Sequence, residues 1–131
     1  MATATASSPA QMKAALQRYV DGFNAADAEA IVALFADDAV IEDPVGGGTL
    51  RRGRAEIAEF YRGSVKLVKR IELSAPIRGS HGNAAAMAFA VHLDYDGKPC
   101  MINVIDVMRF DDTGRIVEMK AYWGPGDVVA G

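Results

Sequence analysis

Three polar side chains lie where the pattern around them is apolar: Asp106, Tyr19 and Asp43. Asp106 is a lone carboxylate in the run Cys100-Met-Ile-Asn-Val-Ile-Asp-Val-Met-Arg-Phe110. As a strand, that run puts Ile102, Val104, Asp106, Met108 and Phe110 on one face. No Lys or Arg shares the face, and an ionised Asp106 would carry a large desolvation cost. The group is therefore expected to keep its proton and act as a hydrogen-bond donor. Tyr19 falls with Met12, Leu16 and Phe23 on the apolar side of a helical pattern, so its ring is buried and its hydroxyl needs a partner. Tyr61, directly after Phe60, can supply one, and a phenol that receives a hydrogen bond while donating another forms a cooperative pair. Asp43 alternates onto the face of Ile41 and precedes Pro44, which offers no backbone N–H to the carboxylate.

Taken singly, each has a plainer explanation. Asp106 could tie a buried network together for packing, Tyr19 could be a core tyrosine, and Asp before Pro is common turn chemistry. Together they form a divided set. A partly hydrated Asp43 stays ionised and serves as a base, while an enclosed Asp106 stays neutral and donates beside a phenol. One base and two donors aimed at one developing oxyanion can take a proton from the carbon next to a carbonyl.

The elements that must position these groups follow from periodicity. A helix is predicted over 10–25, interrupted at Asn24-Ala-Ala-Asp27. A second helix is predicted over 28–35 with Asp27 as its cap, presenting Ile31, Leu34 and Phe35. A short extended segment over 39–43 ends at Pro44. Gly46-Gly-Gly48 is a loop that matches no phosphate-binding motif. A third helix over 54–68 presents Ile57, Phe60 or Tyr61, Ser64 and Val65. The period then becomes two: a strand over 71–77, where Pro76 signals an edge or bulge, and another over 84–95. Asp96-Gly97 is a tight hairpin into the strand bearing Asp106, and Asp111-Asp-Thr-Gly114 turns the chain into a last strand over 115–123. Helices followed by long antiparallel strands make an α+β plan, the helices covering one face of a curved sheet around an apolar hollow. Met101, Ile105 and Val107 make the opposite face apolar as well, which calls for a partner such as a second copy.

At 131 residues, half of them apolar, the chain is one domain with room for a core. We expect residues 1–9 to be a tail, 10–125 the domain and 126–131 a second tail. A formal charge of −3 without a basic cluster argues against nucleic acid. No stretch has membrane-spanning length, and the small, polar start does not resemble a signal peptide, so the expectation is a cytoplasmic protein. A single cysteine, Cys100, rules out an internal disulfide, and it reads as a packed thiol. His81 and His92 lack ligand spacing, the first lying in a turn. The Asp111-Asp112 pair belongs to a hairpin rather than a metal site. Trp123 with Met119, and Met87, Phe89 and Val91, are core or pocket wall; we assign these five to substrate binding.

The stretches around these residues resemble the bacterial ketosteroid isomerase family, within the wider group of cone-shaped, NTF2-like and SnoaL-like α+β domains. The likeness is carried by Arg18-Tyr19-Val20, Ala36-Asp-Asp-Ala-Val-Ile-Glu-Asp-Pro44 and Gly53-Arg-Ala-Glu-Ile-Ala-Glu-Phe-Tyr-Arg62. It continues in Val104-Ile-Asp-Val-Met-Arg-Phe110 and Ala121-Tyr-Trp123. The resemblance implies three N-terminal helices on a strongly curved, mostly antiparallel mixed sheet that encloses an apolar pocket. It implies Asp43 as the base moving a proton from C4 to C6 of a 3-oxo-Δ5-steroid, and Tyr19 with Asp106 as donors to the C3 oxygen. It implies Tyr61 as a donor to Tyr19, Trp123 near the base, Phe89 on the wall, a homodimer, and no cofactor or metal. Some members carry a tyrosine where this chain has Phe35, which shortens the expected hydroxyl chain by one. Two readings compete with isomerisation: a polyketide cyclase or dehydratase using the same hollow, and a ligand-binding dimerisation module without catalysis.

Overall fold

The computed structural model describes residues 8–47 and 50–130. Helix α1 (Pro9–Asn24) starts at a capping box, in which the Ser8 hydroxyl accepts from Gln11 N and the Gln11 side chain accepts from Ser8 N. Met12, Leu16, Tyr19 and Phe23 are buried along one side of it, as the spacing predicts. Asp27 caps helix α2 (Ala28–Val32) by accepting from Ala30 N at 3.1 Å.

This second helix is shorter than expected. Phe35 does not extend it but opens strand β1 (Phe35–Glu42), where it pairs with Ile116. The Leu34 carbonyl accepts from Ile116 N at 2.9 Å, so a long-range ladder takes over residues that local pattern assigns to a helix. Strand β2 (Leu50–Arg52) pairs antiparallel with β1, and helix α3 (Gly53–Leu67) follows, burying Ile57, Ala58 and Tyr61. Arg54 anchors α3 to β1, donating to the Asp37 carboxylate and to the Phe35 carbonyl.

Strand β3 (Val68–Leu73) begins earlier and ends earlier than the pattern suggests. Its ladder with β4 (Ala84–Tyr95) stops at Leu73, ahead of Pro76; beyond it Ser74 N donates to the Ala88 carbonyl and an isolated bridge joins Arg78 to Ala86. β3 is the last strand of the sheet, but Pro76 lies past its end rather than on its edge or in a bulge. Strand β4 and β5 (Lys98–Phe110) form the long hairpin, turning on Asp96 and Gly97 with φ of 51° and 76°. Two consecutive positive φ values match the right-handed strand twist, which is why Asp-Gly serves there. Strand β6 (Ile116–Tyr122) pairs antiparallel with β5 and parallel with β1.

The resulting mixed, curved sheet has the order β2-β1-β6-β5-β4-β3 and is not closed. Within the segment expected to be a C-terminal tail, β7 (Val128–Ala130) adds itself to β5 after a short 3-10 turn at Pro125–Asp127. Of the expected N-terminal tail, residues 1–7 lie outside the described residues, as does Gly48 of the glycine loop. The core fills the space between the helices and the concave face of the sheet, with Tyr61, Phe35, Met12, Leu16 and Met108 among its fully enclosed side chains. No helix among the described residues is long and apolar enough to cross a membrane.

Candidate active site

Strand alternation delivers Asp106 to the concave face, where it is 1% exposed and the one buried charged-type residue among those described. Its neighbours across the ladders are Met87 on β4 and Ala121 on β6, both apolar. Its Oδ2 is enclosed and makes no hydrogen bond. Burial pushes this carboxyl well above the usual carboxylate range, and the charge of Asp43 pushes it the same way. A neutral acid with an unused donor is the physical consequence.

Tyr19 approaches from α1. Its hydroxyl lies 2.8 Å from the Tyr61 hydroxyl on α3, in a buried contact. Tyr19, Phe23, Phe35 and Phe60 surround the Tyr61 ring with centroids 5.0–5.8 Å away, which fixes the phenol pair by packing. Burial raises the Tyr19 hydroxyl well above its ordinary pKa, with electrostatic repulsion from Tyr61 and Asp106 and the hydrogen bond shared with Tyr61 adding to the rise. Burial likewise raises Tyr61, although its bond to Tyr19 opposes the shift. Both phenols therefore keep their protons. Phe35 packs against Tyr61 with centroids 5.6 Å apart and has no hydroxyl with which to extend the phenol pair.

Asp43 stands just past the end of β1, on the face of Ala39 and Ile41. The loop after it is held to β6 by Val45 N donating to the Ala121 carbonyl at 2.9 Å. The indole Nε1 of Trp123 donates to Asp43 Oδ1 at 2.9 Å. Burial raises the Asp43 carboxyl above its ordinary value, while the indole hydrogen bond and the positive charge of Arg51 hold it back. Two carboxyls on one site thus sit in different surroundings: one hydrogen-bonded, half-buried and near a cation, the other enclosed and alone.

Tyr19, Asp43 and Asp106 all open onto one cavity of about 250 Å³ between the helices and the sheet. Phe89, Val91 and Trp123 line it, as assigned from sequence. Met87 and Met119 do not: they belong to the core, 2% and 0% exposed. Met87 sits directly across from Asp106 and Met119 across from Met108, so both occupy the right face at or behind the level of the acid. Sequence reading missed the distal wall, formed by Ser64 and Leu67 at the end of α3 and by Val68, Ile71, Leu93 and Ile102 on the sheet. The available signal was Leu67 itself, an apolar residue ending an amphipathic helix; it is 65% exposed at the rim while lining the cavity. His92 instead meets Glu72 at 3.2 Å, away from the cavity. No group of three or more His, Cys, Asp or Glu among the described residues is placed to hold a metal ion.

A cone of helices over a curved sheet, with an acid, a phenol and a carboxylate opening on one apolar hollow, is the type of architecture that comparison with known proteins also finds. Residues 16–119 match the SnoaL-like domain family. The chain is 44% identical over 120 residues to a steroid Δ-isomerase of Nocardioides simplex, covering 92% of this chain and 95% of that one. The chain belongs to the SnoaL-like, NTF2-like family and to its ketosteroid isomerase branch. More distantly, it is 27% identical over 113 residues to the epoxide hydrolase LasB of Streptomyces lasalocidi, covering 83% of this chain and 40% of LasB. A solved structure of SalBIII, an epoxide hydrolase/cyclase-like enzyme with a role in pyran ring formation in the polyether salinomycin, superposes with a TM-score of 0.83 at 30% identity. That match covers 93% of this chain and 97% of SalBIII.

Proposed function

We propose that the protein is a steroid Δ5-3-ketoisomerase, converting 3-oxo-Δ5-steroids to their conjugated Δ4 isomers. The observation that carries the reading is the pairing of an unpartnered neutral acid, Asp106, with a relayed phenol, Tyr19, on the same apolar cavity as a hydrogen-bonded base. The steroid Δ-isomerase of Nocardioides simplex supports it at 44% identity.

In the proposed cycle the Asp43 carboxylate takes a proton from C4. The C–H electrons form the C3–C4 double bond, and the carbonyl π pair moves onto the C3 oxygen. Tyr19 and Asp106 donate hydrogen bonds to that oxygen as its charge develops, and Tyr61 donates to Tyr19. The dienolate then collapses: the carbonyl re-forms, a double bond appears between C4 and C5, and the former C5–C6 π pair takes the proton from Asp43 at C6. Two preorganised donors in an apolar cavity stabilise this oxyanion without reorganising at the moment of reaction. Trp123 keeps the base oriented between its two proton positions.

The test is direct mixing of the protein with a 3-oxo-Δ5-steroid while following the ultraviolet absorbance of the conjugated enone. Saturable turnover is expected, and its absence from folded protein rejects the assignment. The likeness to SalBIII favours one competing reading, in which Asp106 protonates an epoxide oxygen and Asp43 activates the attacking hydroxyl. Turnover of epoxide-bearing substrates with no steroid isomerisation would select it. We further propose that two copies associate through the convex sheet face, where Ile105 and Tyr122 face each other across the β5–β6 ladder at 49% and 46% exposure. Sedimentation equilibrium is expected to give the mass of two chains, and the mass of one overturns it.

A further inference from the structure

Arg51 occupies a position that the cycle above does not use. It lies on β2 across from Ile41 in the β1–β2 ladder, and therefore projects toward the face that Asp43 shares. Its guanidinium carbon stands 5.1 Å from the centroid of the Phe60 ring. The Phe60 ring in turn lines the cavity beside Asp43. Among the described residues no carboxylate lies within ion-pair distance of Arg51, whereas Arg54, Arg62, Arg70 and Arg109 each hold one. Arg51 is half-buried, so its field is less screened than that of a side chain fully in water.

We propose that Arg51 is a positioning residue of the site: a cation, held over the Phe60 ring at the cavity's edge, that keeps the Asp43 carboxylate charged within apolar walls. The aromatic face fixes the guanidinium by a cation–π contact without neutralising it, as a paired carboxylate would. Its charge is thus left to act on Asp43 from beyond contact distance. Burial opposes the ionised base, and the Arg51 charge is one of two influences that oppose burial, the other being the Trp123 indole. The other groups facing Asp43 are neutral or negative. Tyr19 from α1, Tyr61 from α3 and Asp106 from β5 are held protonated by burial. Glu42, next in sequence, turns its carboxylate to Gly46 N at 3.0 Å. Lys120 pairs with Glu42 in the β1–β6 ladder, on the alternate face.

The consequence for catalysis rests on Asp43 being the base, but the electrostatic claim can be read without turnover. The chain has one tryptophan, and its indole N–H is bonded to Asp43, so its single Nε1–H signal in a nitrogen–proton correlation spectrum reports the ionisation of that carboxyl. The signal is titrated in the parent protein, in Arg51→Met and in Arg51→Lys. Met retains an unbranched stem over Phe60 without charge; Lys retains the charge. The midpoint in Arg51→Met is expected to rise by about half a unit, less than a contact pair would give. Arg51→Lys should stay near the parent. About 1 M salt, with a Debye length of about 3 Å, should raise the parent midpoint part of the way toward that of Arg51→Met, since a half-buried charge is screened less than an exposed one but not spared. An unmoved midpoint in Arg51→Met overturns the proposal, as does an equal rise in Arg51→Lys, which would assign the effect to packing. The salt arm uses the parent alone, and a midpoint indifferent to salt is equally adverse. If the parent fails to isomerise steroid while these shifts appear, the functional reading falls and the role of Arg51 stands. In an active enzyme, the acid limb of kcat/KM should move with the indole midpoint, a roughly threefold loss on the acid side.

Discussion

Asp43 and Asp106 are the same residue type opening on the same cavity, yet their surroundings divide them. Asp43 comes at a strand end, where the backbone leaves the sheet and side chains from outside its own strand can reach it. It acquires an indole donor and a nearby cation there. Asp106 sits in mid-strand between Met87 and Ala121, and the ladder leaves no space for a polar neighbour. The difference teaches that the position of a carboxyl along a strand can set its charge. Strand ends supply partners, while strand middles supply only the faces of adjacent strands.

The largest effect should come from breaking the charged member. Asp43→Asn is expected to lower turnover by about 10²–10⁴-fold, the usual range for a general base, while leaving affinity for a phenolic steroid nearly intact. Steady-state kinetics with fluorescence binding separates the two, and near-parental kcat would dissolve the contrast between the carboxyls. Breaking the neutral member should cost less and depend on what replaces it. Asp106→Ala removes a donor and should lower kcat by about 10²–10³-fold, whereas Asp106→Asn keeps an N–H and should lose less. Equal losses in the two variants would contradict the donor role.

The smallest effect sharpens the comparison through stability. The folded-state pKa of Asp106 is raised, so its contribution is fully present below the unfolded value near 4 and is lost as pH rises toward the folded value. Across that window the parent should lose about 1.4 kcal/mol per pH unit relative to Asp106→Asn. Urea unfolding of both proteins between pH 5 and pH 7 reads the slope difference, an order-of-magnitude expectation by linkage. Parallel stability curves would mean that Asp106 is ionised in the fold.

Much of this contrast was legible in the chain itself. The strand Ala84–Tyr95, the Asp-Gly hairpin and the face occupied by Asp106 follow from alternation and one turn signal, both local properties. The approach of Tyr61 to Tyr19, from 42 residues away, required two helical faces to converge on one core. Alternation tells which side of a sheet a residue takes, but not how far along the strand the hollow extends. Met87 and Met119 were therefore placed on the correct face and at the wrong depth. Phe35 and the C-terminal strand Val128–Ala130 were misread for another reason: their conformations are set by Ile116 and by β5, far away in sequence. Arg51 escaped notice because a lone surface-type arginine has no pattern until β2 folds it over Phe60.

The two-residue turn at Asp96-Gly97 has a consequence for how this protein can diverge. Every residue from Lys98 to Phe110 inherits its side of the sheet from that turn, much as codons inherit a reading frame. One residue gained within β5 ahead of Asp106 would carry the acid to the convex side and bring Ile105 into the cavity. Every site residue would still be present in the sequence, and the site would be gone. Descendants of this chain can change letters along β5 more freely than they can change its length.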